Sequence, residues 1–292
     1  MQENSFELAT PPEAAMGHDE YSNLASSELR ALLGSGVCEE HTYHALLEDH
    51  PILVPGVFPS VKSGHNGIFP GGVISQPPLS GLDARVPDFC VISWDSGTLH
   101  ITLTEIESPC KLWWTAKGQQ RSEVTQAIGQ LREWKAWFDN PANSIRFLDD
   151  YQVPEEIRRH RAIARHYVLV YGRRSEFRTG GFSARRARAQ QPDELFMTWD
   201  RVAPSSHYSD LLTVRLTSRG YQAVRVPPTV TLGPWHAEYH ALLLDRDSAV
   251  DESKHLSSAR AGFLKERWPY WDAWARRRRD FASEAIRLSD QE

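Results

Sequence analysis

The sequence predicts a mixed α/β fold. Two segments rich in β-branched and apolar residues, Val86–Trp94 and Leu99–Ile106, flank a turn signal at Asp95-Ser96-Gly97-Thr98. Helical period returns over residues 119–138, where Val124, Ile128, Leu131, Trp134 and Phe138 mark one stripe. Tyr167–Tyr171 then reads as a buried strand, and Leu195–Trp199 as another, so helices and strands alternate along the chain.

Taken in order, residues 1–25 lack periodicity and carry Pro11-Pro12, which reads as a flexible arm. A short helix follows, capped by Ser26 or Ser27 and ended by Gly34 and Gly36. Glu39–His50 forms a clearer helix, with Tyr43, Leu46 and Leu47 at helical spacing and Pro51 as its stop. Residues 52–80 are rich in Gly and Pro and read as a long connection with at most short strands. Asn140-Pro141 closes the helix over 119–138. Beyond residue 205 one or two strands precede a helix through Trp268, Trp271 and Trp274, tryptophans that read as filling a core or, the favoured reading, an oligomer interface rather than stacking on bases.

Bulk composition bounds the function. The chain has 292 residues, enough for one large or two small domains, and no apolar run long enough to span a bilayer. Its acidic N-terminus has no apolar stretch behind a basic start, so a cytoplasmic protein with no membrane contact is expected. Three widely spaced cysteines, Cys38, Cys90 and Cys110, fit neither a disulfide framework nor a zinc site and are expected to be reduced. A net charge of -5 excludes a uniformly basic coat, yet Arg158–Arg188 contains ten arginines and one acid, Glu176. That stretch suits phosphate binding and a solvated charged face equally well.

No nucleophile elbow, phosphate loop or dinucleotide fingerprint is present. His41 with His44, and His236 with His240, have spacings that zinc could use, but neither pair lies in a metalloprotease frame and both read as coincidental among twelve histidines, His44 beside the Glu40 turn being the one to watch.

The carboxylates are more informative. If Ser96-Gly97 is a two-residue loop, counting back pair by pair sets Asp88 opposite Glu105. Alternation puts Glu107 on the face of Glu105, so three acids converge where facing Cβ atoms lie about 4.5–5.5 Å apart. Facing like charges destabilise a sheet, and a hard divalent cation such as Mg²⁺ or Mn²⁺ would offset them. The plain alternative is a wet, acidic sheet face.

Val86-Pro87-Asp88-Phe89, Glu105-Ile106-Glu107-Ser108-Pro109 and Gln130-Leu131-Arg132-Glu133-Trp134 together resemble the PD-(D/E)XK nuclease superfamily, and specifically the Shedu anti-phage defence family. The segment Glu40–Pro51 is similar to that family's leading acidic helix, and Val170–Arg174 and Met197–Arg201 resemble its later strands. The resemblance covers roughly residues 37–205, leaving 1–36 as an arm and 206–292 as a C-terminal appendage and possible oligomer interface.

This resemblance implies a metal-dependent endonuclease or nickase that cuts DNA, working as a homo-oligomer. Asp88, Glu105 and Glu107 would hold Mg²⁺ or Mn²⁺, with Glu40 as a further acidic ligand. Gln130 matches the glutamine of a Q-x-x-x-Y element, with Trp134 where tyrosine is usual. Glu107 departs from the pattern, standing where the superfamily more often has lysine. Lys111 and Lys117, just after the strand, are candidates for a replacement cation, each reading first as an ordinary surface lysine; within the basic stretch, Arg173, Arg174, Arg185 and Arg186 are the candidates to bind DNA phosphates. The rival expectation is a catalytically lapsed DNA-binding or sensor subunit that keeps the fold without turnover.

Overall fold

A computed structural model describes residues 6–56, 67–81, 86–178, 182–206, 208, 210–278 and 292. Two helices lead, α1 (His18–Ser35) and α2 (Glu40–Asp49), followed by strands β1 (Gly67–Ser75), β2 (Phe89–Trp94) and β3 (Thr98–Ile106). Next come α3 (Ser122–Asp139), α4 (Pro141–Asp150), the single turn α5 (Glu155–Arg158), β4 (Ala162–Val170), α6 (Phe182–Ala189) and β5 (Glu194–Met197). The chain continues through β6 (Leu212–Thr217), β7 (Gly220–Arg225), α7 (Pro234–His240), β8 (Leu243–Leu244), α8 (Arg246–Glu252) and α9 (Ser258–Arg278). All eight strands join one mixed sheet in the order β5-β4-β3-β2-β1-β6-β7-β8.

The β2–β3 hairpin has the register that turn chemistry dictates. Asp95 Oδ1 accepts hydrogen bonds from the backbone N–H groups of Gly97 and Thr98, each at 2.8 Å, closing the two-residue loop. Phe89 therefore faces Thr104 and Trp94 faces Leu99, and the next step back brings Asp88 across from Glu105. On the far side of β3, β4 runs parallel, pairing Thr98 with Ala162 and Ile106 with Val170.

The expectation of a mere connection over residues 52–80 is corrected. Gly67–Ser75 is a nine-residue strand at the centre of the sheet, antiparallel to β2 and parallel to β6. Its Pro70 and paired glycines looked like breakers, but the register with β2 shifts between Phe69 and Ile74, and this irregularity absorbs them. At Gly72 a Cβ would meet the Leu212 carbonyl oxygen at 2.7 Å, so glycine is what lets β6 approach. Residues 57–66 lie outside the described residues.

The N-terminal expectation also needs correcting. The first helix begins at His18, with Tyr21, Ala25 and Leu29 buried along one face, and Gly36 ends it at φ 77°. Ahead of it, Phe6 packs against Trp271, ring centroids 5.8 Å apart, and Met16 N–H donates to Pro228 O at 2.9 Å, so residues 6–17 are packed rather than a free arm. Asn140-Pro141, expected only as a stop, also starts α4: the Asn140 side chain accepts from Ala142 N–H at 3.1 Å.

Side-chain alternation divides the core in two. Phe89, Val91, Ile106, Val168 and Val170 face α1 and α2, whereas Cys90, Ile92, Leu103 and Leu169 face α3, α4 and the C-terminal helices. Trp268, Trp271 and Trp274 of α9 are buried in this second core, which corrects their assignment to an oligomer interface. Among the described residues no helix is long and apolar enough to cross a membrane.

Candidate active site

At the open end of the hairpin, opposite the Ser96-Gly97 loop, four carboxylates lie within electrostatic range of one another. Asp88 Oδ2 accepts from Ile106 N–H at 2.8 Å, which fixes its carboxyl, and Asp88 hydrogen-bonds to Glu105. Glu105 is 8% exposed, and its Oε2 is buried with no hydrogen-bond partner. The backbone of Glu107 is pinned twice: its N–H donates to Val170 O at 2.9 Å, and its carbonyl accepts from Trp199 Nε1 at 2.7 Å. Glu40, in the first turn of α2, lies within electrostatic range of all three.

Asp88, Glu105 and Glu107, set in a poorly hydrated corner, resist ionising together. Burial, then the Asp88, Glu107 and Glu40 charges, push the Glu105 carboxyl up to about 10. Burial also raises Asp88 to about 7, against the Ile106 hydrogen bond and aided by Glu40 and Glu107. Glu107 rises to about 6 through burial, partly relieved by Lys111. The ammonium of Lys111 is bonded to Glu107 and lies 3.6 Å from Glu40.

The cation beside the carboxylates is thus Lys111, whereas Lys117 is exposed on the turn that ends at Gly118 and is not brought to them. Gln130 sits half-buried on α3 and makes no hydrogen bond to the acids. Two residues join the site that the hairpin pattern did not supply. His44, one turn along α2 from Glu40, stacks on Phe89 and lies 3.9 Å from Asp88 and 3.8 Å from Glu48. Its pKa is lowered, burial outweighing the pull of Glu48. Glu48 carried no signal in the sequence, because only α2 packing on the sheet turns it inward.

The expectation of three reduced cysteines is corrected at this site. Cys38 and Cys110 form a disulfide across 72 residues, with their Cα atoms 5.5 Å apart; Cys90 is free and buried. The bridge stands two residues before Glu40 and one before Lys111, so it ties the start of α2 to the loop carrying the lysine. Packing α2 over the end of β3 produces this pairing, which spacing in the sequence does not reveal.

The arginine stretch splits between the two ends of β4. At the hairpin-turn end Arg161 donates to Asp95 O at 2.6 Å, and Arg158 pairs with Asp149 at 2.6 Å. At the carboxylate end Arg173 is held by Asp200 at 2.9 Å and donates to Leu33 O, which makes it a clamp between elements. Arg174 is exposed, Arg185 is exposed over the Trp114 ring at 5.7 Å, and Arg186 stands 4.6 Å over Phe177. Burial, with the Arg201 and Arg174 charges, lowers the pKa of Arg186, so these three guanidinium groups form one crowded cationic patch.

A family model described as Shedu protein SduA, C-terminal, matches residues 38–202, more than half of the chain. The chain belongs to the Shedu family. This is an anti-phage defence family. The matched Shedu segment begins at the disulfide cysteine Cys38 and contains Glu40, Asp88, Glu105, Glu107, Lys111 and the arginine patch. No match to a curated protein was found.

Proposed function

We propose that the chain is a metal-dependent endonuclease or nickase of the PD-(D/E)XK type that hydrolyses DNA phosphodiester bonds in anti-phage defence. The observation that carries this reading is the buried, unpartnered Oε2 of Glu105 amid Asp88, Glu107 and Glu40. Leaving a buried carboxylate oxygen unpaired costs about 1–3 kcal/mol or more, and a cation removes that cost. The donor set is all carboxylate oxygen, which fits Mg²⁺ or Mn²⁺. Asp88, Glu105 and Glu107 would hold the ion, with Glu40 completing the acidic rim. When bound, such an ion lowers the pKa of a water and neutralises charge gathering on a phosphoryl group.

The remaining work falls to the chain's own side chains. Asp88 is oriented by Ile106 N–H at its Oδ2, with Oδ1 3.9 Å from His44. Lys111, held by Glu107, supplies from the following loop the positive charge that lysine gives at the position of Glu107 in other superfamily members, and would stabilise the pentavalent phosphorus centre. Arg174 and Arg186 would receive the DNA backbone beside this corner, and Arg173 holds their segment in place.

Incubating supercoiled plasmid and linear duplex with the purified chain and Mg²⁺ or Mn²⁺ tests the proposal. Cleavage by the wild type, abolished by Asp88→Ala and by chelation, is expected. Equal cleavage by both proteins would reject the site. Salt-sensitive DNA binding with no cleavage would favour the lapsed, DNA-binding alternative.

A further inference from the structure

A second group of ligand-type side chains lies at the other end of α2, about 15 Å from Glu40 at 1.5 Å rise per residue. His50, fully buried, caps the C-terminus of α2; Glu28 is half-buried on α1; His255 lies on the connection between α8 and α9. The carboxylate of Glu28 is shared between two imidazoles, with Oε2 2.9 Å from His50 Nε2 and Oε1 3.3 Å from His255 Nε2. One donor atom from each residue lies within 4.8 Å of the other two. The rings of His50 and His255 stack at 5.1 Å, and Tyr21 flanks His50 at 5.6 Å.

Two features separate this arrangement from an ordinary buried histidine–carboxylate bond. His255 Nε2 is buried and, although Glu28 Oε1 lies 3.3 Å away, it forms no hydrogen bond. His50 Nε2, on a fully buried ring, faces the same carboxylate at 2.9 Å, so both imidazoles turn a nitrogen toward Glu28.

We propose that Glu28, His50 and His255 form a structural metal centre for Zn²⁺ or a similar borderline divalent ion, with solvent as the fourth ligand. Two imidazoles and one carboxylate are donors suited to Zn²⁺, Co²⁺ or Ni²⁺ and poorly suited to Mg²⁺. A small cleft lined by Asp49, Arg225, Ser253 and Lys254 adjoins His255. Asp49 is itself taken up by Arg225 at 2.8 Å and by Lys254, so it is not counted among the ligands. The centre would clip the neighbouring helices α1 and α2 to the α8–α9 connection, which is far from both in sequence. It does not depend on the nuclease reading.

The test uses the full chain stripped with a chelator, reloaded with Zn²⁺, desalted, and measured for metal per chain. Wild type and Asp88→Ala should each retain one zinc, whereas His255→Ala and Glu28→Gln should bind at least tenfold more weakly. Co²⁺ should give the visible absorption of a four-coordinate site in wild type and Asp88→Ala, and lose it in His255→Ala. Circular dichroism checks folding, and Glu28→Gln stands in should His255→Ala misfold. Zinc retention unchanged in both ligand variants, or absent from the wild type, would overturn the proposal. Loss confined to Asp88→Ala would also overturn it, placing the ion among the hairpin carboxylates.

Discussion

Gly172 passes so close to the backbone of Lys111 that a Cβ at position 172 would sit 2.6 Å from the Lys111 carbonyl oxygen. Gly172 also has φ +63°, a conformation that L side chains rarely adopt. Gly172→Ala should therefore destabilise the protein by about 2 kcal/mol or more and push the Lys111 loop away from Glu107. Urea denaturation measures the first effect. The second should appear as a larger loss of cleavage than the loss of folded protein explains.

Lys111 and Lys117 can be told apart directly. If Lys111 supplies the cation of the site, Lys111→Ala should lower the cleavage rate by about 100-fold, the size seen when a charge-stabilising donor is removed. Lys117→Ala should leave the rate unchanged. Single-turnover cleavage with saturating Mg²⁺ compares the two.

The crowded carboxylates predict a pH signature. Asp88 is raised from 3.8 to about 7 by burial first, so the folded chain binds a proton that the unfolded chain releases. Without metal, its contribution to folding is unpenalised below about pH 4 and becomes steadily unfavourable up to about pH 7. At about 1.4 kcal/mol per pKa unit the loss is on the order of 2–4 kcal/mol. In thermal unfolding, Asp88→Asn should flatten the decline that chelator-treated wild type shows over this window. Mn²⁺ should stabilise the wild type more at neutral pH than at pH 5.

Breaking the bridge between Cys38 and Cys110 should also be costly. A closed loop of 72 residues gives a chain-entropy stabilisation of about 4 kcal/mol, usually an upper bound. The double variant Cys38→Ser, Cys110→Ser should lose about 2–4 kcal/mol in denaturant titrations. A reductant should destabilise the wild type by a similar amount and leave the variant unaffected.

Phosphate contacts should divide along β4. Arg174→Ala and Arg186→Ala should each weaken DNA binding and reduce the slope of log affinity against log salt by about one. Arg159→Ala, exposed at the opposite end of the strand, should change neither. Anisotropy titrations at several salt concentrations would read both quantities.

What was legible in the sequence was local. The hairpin register follows from Asp95, Gly97 and strict alternation, because a slip of one residue would turn Phe89 and Val91 out of the core. Helices α2 and α3 follow from their periods. The missed elements owe their form to distant partners: β1 accommodates Pro70 where its register with β2 shifts, and α1 starts early because Tyr21 and Ala25 find cover on the sheet. The disulfide and the Glu28–His50–His255 group join residues that are remote along the chain. Lys111 and Lys117 were equivalent as sequence, and only the path of the loop distinguishes them.

The parallel pairing of β1 with β6 sets the limits of any usable fragment. A chain cut near residue 205 would retain every side chain of the Shedu-matched segment, yet it would strip β1 of its neighbour. An interior strand would become a bare rim of unsatisfied N–H and C=O groups, open to zippering with other copies. The outer limits of family likeness and the outer limits of the hydrogen-bonded unit are different places on this polypeptide.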